Sequence, residues 1–146
     1  MRIAAAALFL LAATPATALI LVAAATPAAA QAWMVGTWFG HGQPRDKSAM
    51  YIDRMRPDGS WRGEYRTCIK GKPDDQTQTG RWAMNGDTLI LSVEQVDGVR
   101  TPRTDNYKML SHGPTTQKYL SLGANFPYTP QRVADDFKMP SCELVS

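Results

Sequence analysis

Two cysteines and two histidines are the side chains of this 146-residue chain best suited to redox chemistry or metal binding. Cys68 and Cys142 lie far apart and form no C-x-x-C motif, so a redox or metal pair has little support. In an oxidising compartment, such an isolated pair most simply forms one structural disulfide. The bridge would close a loop of about 75 residues and contribute roughly 4 kcal/mol in the chain-entropy model.

The histidines, His41 and His112, do not form an i, i+2 or i, i+4 pair that would create a ready metal site. Both lie near glycines in predicted turns or links, where solvent-facing histidines are common. We therefore predict no bound metal and no cofactor.

Sequence motifs of common catalytic sites are missing from the chain. It contains no G-x-S-x-G, H-E-x-x-H, P-loop or G-x-G-x-x-G segment. Asp135 and Asp136 are adjacent carboxylates, but neighbours on a strand point to opposite faces and cannot act together on one substrate. The sequence therefore predicts a protein that is not an enzyme.

Aromatic and methionine side chains in the predicted strands are candidates for the lining of a ligand pocket. They are Trp61, Tyr65, Trp82, Met84, Tyr107, Met109 and Tyr119. Such a lining would accept a small apolar or amphipathic molecule. The alternative is an ordinary filled core without a cavity.

The first 32 residues are predicted to be a secretory signal peptide. They combine the early charge of Arg2 with a long apolar stretch and the small-x-small ending Ala30-Gln31-Ala32. Residues 3–25 could also span a bilayer, so an uncleaved membrane anchor is the alternative. Cleavage would leave one domain, residues 33–146, in the periplasm or outside a bacterial cell, where we expect a monomer.

The charge balance of that domain argues against nucleic acid as a partner. Removing Arg2 leaves 15 basic against 13 acidic residues, a net charge of +2, without the concentrated basic face that nucleic acid demands. Basic residues do bunch in the second and third predicted strands: Arg54, Arg56, Arg62, Arg66, Lys70 and Lys72. A peripheral contact with anionic envelope components is one interpretation. The other is a solvent-exposed barrel wall on which Glu64 partly neutralises the basic residues.

Turn signals such as Asn85-Gly86 recur at short intervals, and the segments between them are too short for helices. Eight strands are predicted, at residues 34–41, 48–56, 60–69, 77–84, 87–96, 104–111, 117–122 and 131–138. Short links favour a meander, and eight meandering strands can close without exposed edges. The sequence therefore predicts an all-β fold: an antiparallel eight-stranded up-and-down barrel or strongly rolled sheet, with no major helix.

The domain resembles the small bacterial lipocalin-like members of the calycin superfamily. Gly36-Thr37-Trp38 is similar to the G-x-W signature of their first strand, and Thr104-Asp105-Asn106-Tyr107 resembles their T-D-Y signature with one extra residue. Cys68 and Cys142 resemble the family disulfide. The resemblance implies a barrel in which Arg132 packs across Trp38 by a cation–π contact and closes one end.

Three functions follow as hypotheses. The leading one is non-enzymatic binding of a small apolar or amphipathic molecule, in a cavity that opens opposite Trp38. The second is a structural or protein-interaction module of the cell envelope with a filled core and no ligand. The third is a metal- or haem-dependent enzyme, which would need His41 or His112 to face the interior, since haem-binding barrels of this superfamily use an axial histidine.

Overall fold

Antiparallel strands make up most of residues 31–144, which are the residues that the structure, a computed structural model, describes. The strands are β1 Gly36–Gln43, β2 Asp46–Met55, β3 Ser60–Ile69, β4 Lys72–Asn85, β5 Thr88–Val96, β6 Val99–His112, β7 Gln117–Ser121, β8 Phe126–Tyr128 and β9 Gln131–Val133. A short 3-10 helix, Cys142–Leu144, follows them. The predicted signal peptide lies outside the described residues except for Gln31 and Ala32. Within residues 31–144, no helix is long and apolar enough to cross a membrane.

The sheet is a meander in which each strand from β1 to β8 pairs with the next, while β9 pairs with the free edge of β1. It curls strongly into a half-barrel. The two ends of the sheet meet where Thr116, just before β7, pairs with Gln131 of β9 through a single bridge. The predicted all-β, strongly rolled antiparallel sheet is therefore confirmed.

The strand count differs from the prediction because an additional strand, β8, forms between the predicted strands at residues 117–122 and 131–138, and the latter is shortened to β9. β8 pairs with β7, whereas β9 pairs with β1, and Thr129 and Pro130 separate them. Pro130 has no N–H to donate, but its carbonyl accepts a hydrogen bond from the Gln117 amide at 3.0 Å. The chain changes partner strand at this proline, and nine strands result.

Two strands begin earlier than predicted. β4 and β6 each have 14 residues, because the tight turns Lys70-Gly71 and Asp97-Gly98 let the chain resume pairing at once. All four turn residues have positive φ, between 50° and 77°, as two-residue type I′ hairpin turns require. The predicted starts at residues 77 and 104 were therefore several residues late.

The end of the half-barrel beneath β1 is closed by Trp38 and Arg132. The Trp38 indole N–H donates to the Met34 carbonyl at 2.8 Å, and Arg132 Cζ lies 4.3 Å from the indole centroid. The same guanidinium donates to the Val35 carbonyl at 2.7 Å. A Cβ on Gly36 would meet this guanidinium, and its φ of +137° favours glycine. The G-x-W segment is thus shaped around Arg132.

Residues 134–144, here called the C-terminal strap, cross the outer face of β2 and β3. Arg54 donates to the carbonyls of Asp135 at 2.6 Å and Phe137 at 2.8 Å. Cys68 of β3 is bonded to Cys142 of the strap, which confirms the predicted disulfide. Part of the predicted basic cluster is therefore occupied by the chain's own carbonyls.

A candidate binding site lined by tyrosines

All five tyrosines of the chain surround one small interior cavity. Its lining consists of Tyr51, Asp53, Tyr65, Leu89, Leu91, Tyr107, Tyr119 and Tyr128. The volume is about 30 Å³, which is the share of one water molecule in the liquid. The site therefore has room for one small group rather than for a whole ligand.

Strand periodicity and register bring these rings together. Residues that pair across an antiparallel ladder share a face, and Tyr51 of β2 pairs with Tyr65 of β3. In the same way Tyr119 of β7 pairs with Tyr128 of β8. The curl of the sheet then brings the two pairs face to face, with the Tyr51 and Tyr128 ring centroids 5.4 Å apart and nearly perpendicular.

Two glycines make room for the tyrosine rings. A Cβ on Gly40 would meet the ring of Tyr51. On Gly63 it would lie 2.7 Å from both the Trp61 ring and the Tyr65 hydroxyl, closer than real Cβ contacts come. The rings lie against bare backbone at these positions, so the sequence of β1 and β3 is fitted to this cluster.

Asp53 is the one carboxyl group of the cavity, and its residue is 5% exposed. It accepts a hydrogen bond from the Trp61 indole N–H at 2.9 Å. Burial raises the pKa of Asp53 to about 6, while hydrogen bonds from Trp61 and Tyr119 act in the opposite direction. No lysine, arginine or histidine within residues 31–144 forms an ion pair with it.

The phenols around Asp53 are neutral at physiological pH. Burial is the main reason that the pKa values of Tyr51, Tyr65 and Tyr119 lie well above the ordinary phenol value, and the charge of Asp53 adds to the effect. Burial also raises the pKa of Tyr128 to about 12. The site thus offers one carboxylate, neutral hydroxyls and aromatic faces.

An open groove of about 500 Å³ adjoins the cavity and shares two of its walls, Tyr107 and Tyr128. Leu122 and Arg103 also line the groove, so it is both apolar and polar. Arg103 donates to Asp105 at 3.1 Å and to the Gln78 side chain at 2.7 Å, which partly neutralises its charge. The groove therefore presents a mixed surface on the solvent side of the tyrosines.

The structure brings together some of the predicted pocket residues and separates others. Tyr65, Tyr107 and Tyr119 line the cavity, and Trp61 holds Asp53. The remaining three predicted lining residues lie elsewhere: Trp82, Met84 and Met109. The Trp82 indole donates to the Arg56 carbonyl at 2.9 Å, and the two methionines line a separate groove of about 370 Å³. Of the resemblance residues, Thr104, Asp105 and Tyr107 line the larger groove.

Five lining residues of the cavity were missed from the sequence: Tyr51, Asp53, Leu89, Leu91 and Tyr128. The sequence did contain a signal for the burial of Asp53. Residues 49–55 are otherwise apolar or aromatic, and Asp53 and Arg54 are the two charged residues among them. A period-two count from Tyr51 puts Asp53 on the inner face. Tyr128 lies between Pro127 and Pro130, outside the eight predicted strands.

The histidines lie away from the cavity. His41 is exposed and meets the ring of Phe39 edge-on at 4.9 Å, and His112 stacks on Trp33 with 3.8 Å between ring centroids. Across residues 31–144, no three His, Cys, Asp or Glu side chains are grouped closely enough to hold a metal ion.

The sequence was compared with protein-family models and with curated proteins. No protein-family model matches this chain, and no curated protein sequence is significantly similar to it. Fold and site define its class directly: a strongly curled antiparallel half-barrel with tyrosines gathered around a buried aspartate.

Proposed function

We propose that this protein binds a small amphipathic molecule without catalysing a reaction on it. The observation that carries the proposal is the pair of walls, Tyr107 and Tyr128, common to the 500 Å³ groove and the tyrosine cavity. A ligand can lie in the groove and direct one end toward the buried carboxyl group of Asp53. The size of the groove is within the range of small-molecule sites.

The surface chemistry of the groove supports an amphipathic rather than a purely apolar ligand. Leu122 is 53% exposed, so a bound apolar chain would cover surface that is otherwise in water. Arg103, Asp105 and Asn106 offer charged and amide groups beside it. This combination fits the ligand class expected from the sequence.

The location proposed for this activity is the periplasm or the outside of a bacterial cell. The disulfide supports it, since such bonds persist in oxidising compartments. The apolar leader with its Ala-x-Ala ending supports it from the sequence. The resemblance to lipocalin-like domains is consistent with a binding role and stays a proposal.

Nuclear magnetic resonance titration with hexan-1-ol, a soluble neutral amphiphile, tests the proposal. We expect saturable shifts of amide signals around Tyr107, Leu122 and Tyr128. Leu122→Gln should weaken binding about threefold to tenfold, because a groove contact of about 1 kcal/mol is lost. Ile69→Gln is the matched control, since Ile69 is also 53% exposed but lies outside the groove. Equal weakening by both variants, or linear shifts without saturation, would contradict the proposal.

A structural or interaction module is the second candidate, and the small cavity volume of about 30 Å³ favours it. This candidate predicts that no small molecule co-purifies with the protein from its own host. Native mass spectrometry of that material separates the two candidates, since a retained small molecule supports binding.

A further inference from the structure

Asp53 is a buried carboxylate without a positive partner in the described chain. A buried charge is ordinarily paired or coordinated, because its loss of hydration is costly. Here the hydrogen bonds of Trp61 and Tyr119 offset only part of this cost, since the pKa remains raised. All five salt bridges within residues 31–144 lie elsewhere, on Glu64, Asp75, Asp105 and Asp87. The position is electrostatically complementary to a cation from outside the chain.

The cavity walls also favour a cation. Five tyrosine rings surround the space, and the ring centroids of neighbouring members, such as Tyr107 and Tyr119 or Tyr119 and Tyr128, are about 5.5 Å apart. The faces of aromatic rings attract ammonium groups, and neutral phenol oxygens accept their hydrogen bonds. An anionic group would instead be repelled by Asp53. The aromatic walls and the negative charge of Asp53 therefore both favour a cation.

The volume selects among cations. About 30 Å³ holds one water-sized group, and a primary ammonium group has nearly that size. A quaternary ammonium carries three more methyl groups and would need the rings to move apart. A guanidinium is planar and larger. The cavity thus fits a primary ammonium group best.

We infer that the tyrosine cavity is the head-group site for a primary organic ammonium ion, whose apolar part lies in the adjoining groove. The inference rests on the proposed function and specifies its ligand class. Tyr107 and Tyr128 separate the two spaces, so the ammonium group passes between or beside them. Arg103 near the entrance is held by Asp105 and Gln78, which limits its repulsion of a cation.

Three hexyl compounds with one chain and different head groups provide the test: hexylamine, hexan-1-ol and hexanoate. At pH 7.5, where hexylamine is a cation and Asp53 is ionised, we expect hexylammonium to bind at least tenfold more tightly than hexan-1-ol, and hexanoate more weakly than either. Ammonium chloride alone should bind more weakly than hexylammonium. Equal binding of the inorganic ion would assign the site to a free cation and overturn the organic ligand.

The variant Asp53→Asn identifies the group responsible. It keeps an acceptor for the Trp61 indole, so it should fold, and it should lose the tenfold preference for hexylammonium over hexan-1-ol. Asp87→Asn is the control, with a side chain 62% exposed outside the cavity, and should keep the preference. A preference that survives in Asp53→Asn would overturn the inference.

The outcomes for the wild type separate this inference from the proposed function, and they do not depend on the variant folding. If hexan-1-ol binds in the groove and hexylammonium binds no more tightly, the ammonium site is wrong and amphiphile binding stands. If none of the hexyl compounds binds, both are wrong. An ordered water molecule is then the natural occupant of the cavity.

Discussion

At the scale of single residues, Asp53 is the position where stability and the proposed cation binding are opposed. Its pKa of about 6 in the folded chain exceeds the ordinary 3.8, so the folded state binds the proton more tightly than the unfolded state. The stability associated with that proton is fully present below about pH 4 and is lost as the pH rises through 6. Two pKa units correspond to about 3 kcal/mol, which the ionised fold lacks at neutral pH.

We therefore predict that Asp53→Asn raises the free energy of unfolding at pH 7.5 by about 2 to 3 kcal/mol. At pH 4, where Asp53 is protonated, variant and wild type should differ little. Urea denaturation at both pH values measures this. The exposed control Asp87→Asn should leave the pH dependence unchanged, and a destabilised Asp53→Asn protein at pH 7.5 would show that the carboxylate supports the fold.

The sequence contained part of this site. Trp61 and Tyr65 were predicted pocket residues; period-two alternation puts them on one face of β3, where Trp61 donates to Asp53 and Tyr65 lines the cavity. Asp53 was missed because a lone aspartate in a strand is ordinarily solvent-facing. Its burial depends on rings from β6, β7 and β8, which only the curl of the sheet brings near. The alternation of residues along one strand does not show which other strands come close to it.

At the scale of elements, the C-terminal strap depends on two kinds of attachment. Arg54 holds its beginning through the carbonyls of Asp135 and Phe137, and the disulfide holds its end to β3. Arg66, which pairs with Asp75, also donates to the Pro140 carbonyl at 2.9 Å. Met50 and Ile52 alternate along β2 with the cavity residues Tyr51 and Asp53, so they lie on the same face as Arg54, and both are fully buried.

We predict that the double variant Cys68→Ala and Cys142→Ala loses about 4 kcal/mol of stability, the value expected for a long closed loop. Its strap should also become a substrate for trypsin after Lys138. Guanidinium denaturation and limited proteolysis measure the two effects. Dithiothreitol should reproduce both in the wild type and add nothing in the variant; unchanged proteolysis would mean that the arginine contacts hold the strap without the disulfide.

Strand boundaries show what local sequence could and could not predict. β3 has the predicted bounds, because the turn Pro57-Asp58-Gly59 and the alternation after it agree. The start of β4 was missed, since Lys72-Pro73-Asp74-Asp75 has a composition typical of loops. Pairing with β3 extends the strand through it, with Pro73 opposite Cys68. Tertiary pairing overrides weak strand propensity there.

At the scale of the whole molecule, the ends of the sheet are joined in two different ways. On the side of Trp38, β9 continues the hydrogen-bonded ladder of β1 and reaches Thr116. On the side of the cavity, β8 approaches β1 and β2 only through side chains. Tyr128 contacts Tyr51 there, and Phe126 lies against Gly42.

We predict that Tyr128→Ala destabilises the fold by about 2 kcal/mol, because a half-buried ring that joins both ends of the sheet is lost. Amide hydrogen exchange should quicken in β8 far more than in β9. Tyr128→Phe keeps the ring and should retain most of the stability. Equal loss in both variants would assign the effect to the hydroxyl group.

The side-chain seam between β8 and β1 also bears on the size of molecule that the interior can admit. Among the residues described, no backbone hydrogen bond joins these two strands. Moving them apart would separate aromatic rings without breaking the hydrogen bonds between any paired strands. The seam is therefore the place where the wall could widen without the loss of a strand pairing. A head group larger than a primary ammonium ion would need β8 to swing on its pairing with β7, because the space between the tyrosines is about 30 Å³.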